Sequence, residues 1–196
     1  MKLRDVVIFS GDQFTIPTGI QRIDSRSTHG WQVRYQGTKM FSDHSPDGSG
    51  APASLAKATK ELLSRIAKLP APSLLQKKPS GSKSNDLPPG ISGPIVRSRA
   101  GANLRTCSFS VLLPQFGGKP RCSTVYIGNE NTYTPEKYQH ALAKAVELRQ
   151  AAEAAYERAT TLARRRDGKA IKQGTLEHKA PKAAKPTKRK RRAPAL

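Results

Sequence analysis

The chain has 196 residues, with 35 Lys and Arg against 14 Asp and Glu, a formal charge of +21 and 36% hydrophobic residues. That length could hold one ordinary domain or two small ones, the low apolar share implies substantial linker or tail, and the lack of any apolar run of about 18 residues argues against a membrane-spanning helix. A polyanion is the expected partner, with nucleic acid well ahead of an anionic membrane surface.

A β-rich pattern followed by a helix occurs twice. Val6 to Phe9 is a lone edge-strand candidate ahead of the first unit, and is too short to be the core of a secretory signal. In that unit Gly19-Ile20 opens a strand, and Trp31, Val33 and Tyr35 alternate with Gln32, Arg34 and Gln36. Lys39-Met40-Phe41 forms a third strand. A period of two leaves one face apolar and one polar. Across the Gly- and Pro-rich loop Ser45 to Pro52, Leu55, Leu62, Ile66 and Leu69 recur at helical spacing and can cover the apolar face before Pro70 ends the helix. Residues 70–89 have the Pro, Ser and Lys content of a linker.

Gly90-Ile91 begins the second unit. Cys107, Phe109, Val111 and Leu113 share one strand face opposite Thr106, Ser108 and Ser110. Phe116-Gly117-Gly118-Lys119 is a hairpin signal, and the next strand turns Val125 and Ile127 inward and Thr124 and Tyr126 outward. Thr134 reads as an N-cap with Pro135 at the first helical position. Tyr138, Ala141, Leu142, Ala145, Leu148, Ala152, Ala155 and Tyr156 then give the apolar stripe. Glu147, Arg149, Glu153, Glu157 and Arg158 read as a solvated flank. From Arg164 to Leu196 Lys and Arg crowd together against only Asp167 and Glu177, so this stretch carries about half of the net charge and is expected to be disordered.

The expected fold is therefore α+β: two small modules, each a three-stranded antiparallel sheet packed on one C-terminal α-helix, with a disordered basic tail. The expected boundaries are 1–69 for the first module with its N-terminal extension, 70–89 for the linker, 90–163 for the second module and 164–196 for the tail. Cys107 and Cys122 are expected as reduced, unpaired thiols in a cytoplasmic, nucleoid-associated protein, or a nuclear one in a eukaryotic host, where Lys188, Arg189, Lys190, Arg191 and Arg192 match an import pattern.

The first unit, Gly19 to Leu69, resembles the plant ethylene-response-factor (Apetala-two) DNA-binding domain in its looser bacterial and phage form. The shared features are Gly19-Ile20, Gly30-Trp31-x-Val33-Arg34, Lys39-x-Phe41 and the following helix. Residues 90–159 match in outline only. The family's Trp-Leu-Gly third strand and Ala-Tyr-Asp helix motif are absent, with Tyr126-Ile127-Gly128 a distant echo of the former. The resemblance implies that the sheet enters the DNA major groove with Gln32, Arg34 and Gln36 facing bases and phosphates, and Gln21, Arg22 and Lys39 as weaker additions. The residues support this independently, since guanidinium and amide groups match the edges of guanine and adenine.

In the second module Ser108, Ser110, Thr124 and Tyr126 form the expected outer face. Arg97, Arg99, Arg105, Lys119 and Arg121 lie near strand ends and turns, where phosphate contact is the natural use. Arg164, Arg165, Arg166 and Lys188 to Arg192 would add affinity blind to sequence. Trp31 alternates with core residues and is expected inside, which leaves Tyr126 as the better base-stacking candidate.

Enzyme motifs are lacking. His29, His44, His140 and His178 are scattered, neither cysteine has a partner at zinc-ligand spacing, and no phosphate loop or nucleophile elbow occurs. The sequence thus points to a non-enzymatic, cofactor-free and metal-free double-stranded DNA-binding protein, sequence-preferring through its sheet faces, acting as a regulator or accessory factor in a bacterium or phage. A nucleoid or RNA-associated structural protein is the alternative, and an inhibitor or adaptor of another DNA enzyme, with the long second helix as its interaction surface, is a third; no membrane partner is expected and protein partners are left open.

Overall fold

Strict alternation and turn glycines produce three antiparallel sheets. The computed structural model describes residues 1–79, 81, 85–98 and 104–174. β1 (Leu3–Val7) and β2 (Gln13–Pro17) form a hairpin. β3 (Ile20–Asp24), β4 (His29–Arg34) and β5 (Thr38–Ser42) form a meander followed by α1 (Ala51–Lys68). β6 (Ile91–Ser98), β7 (Arg105–Leu113) and β8 (Arg121–Asn129) form a second meander, followed by α2 (Pro135–Lys172). The α+β architecture of two sheet-and-helix modules is present.

The first core joins Trp31, Val33 and Ile20 from the sheet to Ala58, Leu62 and Ile66 from α1. Trp31 is fully buried, and its indole N–H donates to the Ala51 carbonyl at 2.9 Å, so its single polar atom is satisfied inside. The hairpin β1–β2 completes this core. Ile16 is buried in it, and Phe14 meets the Trp31 ring edge-on at 5.6 Å. The Val6 to Phe9 segment is therefore not a lone edge strand. β1 pairs in register with β2, Val6 opposite Phe14. In this module the hairpin closes the part of the core that α1 leaves open.

The second core is built from Phe109, Val111, Val125, Ile127, Ile91 and Leu87 against Ala141 and Ala145 of α2. Each large apolar side chain buried here contributes about 1.5–3 kcal/mol. Thr134 caps α2 as its sequence suggests, accepting from the Lys137 N–H at 3.3 Å, with Pro135 in the first turn. Arg149, expected on a solvated flank, is buried beside Gly90; it pairs with Glu153 at 2.6 Å and donates to the Leu112 carbonyl. Cys107 is half-buried and Cys122 exposed. They face Gly128 and Leu112 respectively, and both thiols are free.

Two expected boundaries move. α2 does not end near Ala163 but continues to Lys172, placing Arg164, Arg165 and Arg166 in a helix rather than in a tail. Arg, Ala and Lys are good helix formers, and packing decides the rest. Gly168 is buried against Ile66 of α1, and the Met1 amino group pairs with Asp167. The segment 70–89 is also not a free linker among its described residues. Ala71 is buried with its N–H on Thr161 Oγ1 at 3.0 Å, Lys77 pairs with Glu157 at 2.8 Å, and Leu87 enters the second core. The overhanging half of α2 supplies the partners that hold this segment.

A Cβ at Gly168 would lie 3.1 Å from Ile66 Cγ2 and 3.7 Å from Leu63 Cδ2. The Gly168→Leu substitution is expected to pry the end of α2 off α1. In hydrogen exchange, amides of residues 157–172 should lose protection by about tenfold or more, while those of residues 141–149 keep theirs. Equal loss in both stretches would mean that α2 opens as one unit.

Candidate nucleic-acid interface

Pairing register decides which side chains share the open face of each sheet. In the first sheet Trp31 and Val33 point inward, so their partners Arg22, Phe41, Ile20 and Lys39 share that inner face. The outer face carries the row Gln21, Gln32 and Met40, then Arg34 beside Thr38, with Ile23 and Ser42 flanking Gly30. Arg34 is exposed, and its Nε donates to Gln32 Oε1 at 2.6 Å. This bond pre-sets the guanidinium over the amide row and leaves its other N–H groups available.

Gln21, Gln32 and Arg34 are therefore brought together, whereas three other expected contacts are not. Arg22 faces the interior, opposite Trp31, with only 5% of its side chain exposed. It pairs with Asp24 at 2.7 Å and Asp43 at 2.7 Å, and its guanidinium lies 4.9 Å from the Trp31 ring centroid. Asp43 in turn accepts from Ser54 Oγ at 2.5 Å, so Arg22 ties β3 to the start of α1. A charge this enclosed is held by its partners and serves the fold.

Lys39 stands opposite Val33 at the helix-side rim and approaches Glu61 of α1 at 3.7 Å, a carboxylate shared with Arg65. Gln36 lies beyond the end of β4, in a turn at φ +50°, where its side-chain amide donates to the Pro70 carbonyl at 3.2 Å. The alternation that carries Gln32 and Arg34 outward stops at that turn, before it reaches Gln36.

The second sheet presents a different chemistry. Ser92, Ser110 and Thr124 form one outer row; Ile95, Ser108 and Tyr126 form the next; Arg97 lies opposite Thr106, which faces Asn129 on its other side. Between Cys107 and Ser108 the register with β8 shifts, so that Ser108 faces Tyr126 and Cys107 faces Gly128. Alternation along β8 from Val125 keeps Ile127 in the core and Tyr126 outside, where it is 57% exposed. Arg97, Lys119 and Arg121 are exposed at strand ends and the β7–β8 turn, while Arg105 pairs with Glu130. Arg99 and the run Lys188, Arg189, Lys190, Arg191, Arg192 lie outside the described residues. Arg165 and Arg166 are exposed on α2, and Arg164 is half-buried beneath them.

Sequence reasoning missed several neighbours of this surface. Ile23 and Met40 add apolar area to the first outer face, and Arg26 stands exposed in the β3–β4 turn. Parity counted from Ile20 and Phe41 would have assigned both apolar residues. Among the described residues no group of His, Cys, Asp and Glu could hold a metal ion, and no helix is long and apolar enough to cross a membrane. No protein-family model matches the chain, nor does any curated protein or solved structure.

Burial pushes the Asp24 carboxyl upward, but hydrogen bonds from Arg22 and His29 outweigh it and hold the pKa below the usual 3.8. A depressed carboxylate pKa stabilises the fold above the unfolded value and ceases to do so as pH falls through the folded value. The Asp24→Asn protein should accordingly be less stable than the parent by up to about 1 kcal/mol at neutral pH, with the gap closing below pH 3.8 in urea titrations. Arg22→Ala, which strands the buried Asp43 carboxylate, should cost about 3–5 kcal/mol in the same assay.

Proposed function

We propose that the chain is a double-stranded DNA-binding protein whose first sheet reads base edges and whose second sheet positions the duplex. The observation that carries this reading is the uncovered outer face of the first sheet, where Gln21, Gln32 and Arg34 converge while α1 and the hairpin close the opposite face. A twisted antiparallel sheet fits the roughly 12 Å major groove, and adjacent outward residues about 7 Å apart along the strand can reach successive base pairs. Arg34 supplies a bidentate donor for guanine, and Gln21 and Gln32 match adenine. The hydroxyl-rich second face, with Arg97 on it and Lys119 exposed in the β7–β8 turn, suits phosphate contact. The resemblance of residues 19–69 to the ethylene-response-factor domain supports the same mode. Enzymatic activity forms no part of this role, which is that of a regulator or accessory factor in a bacterium or phage.

A second reading follows from Tyr126, exposed beside Ile95 and Ser108 on a face without strand cations other than Arg97. Such a platform also suits unpaired bases, as in an RNA-associated structural protein.

Selection of bound duplexes from a random pool decides between them, using the full-length chain with the Lys and Arg of residues 179–192 changed to Gln. Enrichment of a motif is expected. Arg34→Ala should then relax preference at one base pair by about 1–3 kcal/mol. Restoring the basic residues of 179–192 should raise affinity for all duplexes alike and steepen the salt dependence. No enriched duplex, together with tighter binding to single-stranded RNA that Tyr126→Ala abolishes, would replace the DNA reading with the RNA one.

A further inference from the structure

The last turns of α2 do more than anchor it. Where they lie against α1 they leave a trough of about 980 Å³ on the side of α1 turned away from the first sheet. Its floor is apolar, with Ala56, Leu63 and Ala67 along α1 and Gly168 and Ile171 along α2. Its edges are cationic: Lys60 on α1, and Arg165, Lys169 and Lys172 on α2, with no acidic residue in the lining. Ala56 and Ala67 are solvent-exposed, so the trough is open along its length.

We infer that this trough docks an acidic amphipathic helix of a partner protein. Positions 56, 63 and 67 recur at the spacing of one helix face, and 168 and 171 do the same on the other wall. The two helices thus offer a groove for a third, packed at the usual 8–10 Å, and the small residues at 56, 67 and 168 permit that approach. Charge selects the occupant. A second copy of this chain would bring the same cations against themselves, and the residues after 174 carry Lys and Arg with Glu177 as their sole acid, so both are repelled. A nucleic-acid backbone gains nothing from the apolar floor. An acyl chain is better served by an enclosed cavity than by an open trough. An apolar stripe flanked by Asp and Glu satisfies floor and rim together. The site lies on the helix side of the first module and is independent of the sheet-face reading.

The test measures binding of a synthetic, fluorescein-labelled peptide of about 16 residues, with Leu at helical spacing and Glu on both flanks, to the full-length chain by anisotropy. Micromolar binding is expected, with Lys in place of Glu abolishing it. Ala67→Trp, which fills the trough at constant charge, and the Lys60→Glu, Lys169→Glu double variant should each weaken binding by about tenfold or more. The thermal melt of Ala67→Trp followed by circular dichroism should match the parent, which reports that the variant is folded. Peptide binding unchanged by Ala67→Trp would mean plain attraction to a basic surface and overturn the proposal, as would no binding at all. Phosphatidylglycerol vesicles binding in place of the peptide, with that binding lost in Ala67→Trp, would overturn it in favour of an anionic lipid.

Discussion

A sheet of three short strands has one apolar face to bury and nothing of its own to bury it with. Each module meets this constraint by the helix that follows its sheet, and the rest of the molecule depends on how that closure is made. In the first module α1 and the β1–β2 hairpin divide the task around Trp31. In the second, α2 needs only its first turns, through Arg149, to cover Phe109, Val111 and Val125. At 38 residues it is roughly 57 Å long, far more than the sheet requires. The excess returns to the first module and packs on α1 at Gly168. One helix thereby ties together two cores that are each thin.

Closure from one side leaves the opposite side of each sheet free, and this is what makes a binding surface available. Scarcity of acids then distributes the charge. Asp24 and Asp43 hold Arg22, Glu61 holds Arg65 and Lys39, Glu153 holds Arg149, and Glu157 holds Lys77. These acids thus hold cations that fasten one element to another, as Arg22 does for β3 and α1 and Lys77 for the 70–89 segment and α2. Cations without such a partner stand at the periphery: Arg34 on the first sheet, Arg97, Lys119 and Arg121 around the second, and Arg165, Lys169 and Lys172 on α2. The basic character of the chain is therefore expressed on more than one surface. A sheet side suited to a duplex and a helix side with an apolar floor are chemically different sites.

Period-two alternation around Trp31 and Val33, and around Phe109 and Val111, specified the strands and their inward faces, because a half-buried strand has no other way to satisfy both solvents. Thr134-Pro135 specified where α2 begins, since capping is local chemistry. Gln32 and Arg34 were legible as outward by the same parity. Arg22 and Lys39 were not, because their facing depends on which residue they pair with across the sheet, and register is a tertiary property. Gln36 was lost to the turn that begins immediately before it.

The sequence by itself determined the two sheet-and-helix modules, the start of the long helix and the polar nature of the outer strand faces, all of which follow from patterns within a few residues. Tertiary structure alone decided the fate of the charged residues and the extent of α2. Whether an arginine is a ligand for DNA or a buried tie depends on a carboxylate distant in the chain, as Asp43 is for Arg22. Whether Arg164 to Lys172 stays helical depends on α1 lying there to receive Gly168. Local propensity makes such choices available, and long-range packing, whose partners no sequence window contains, selects among them.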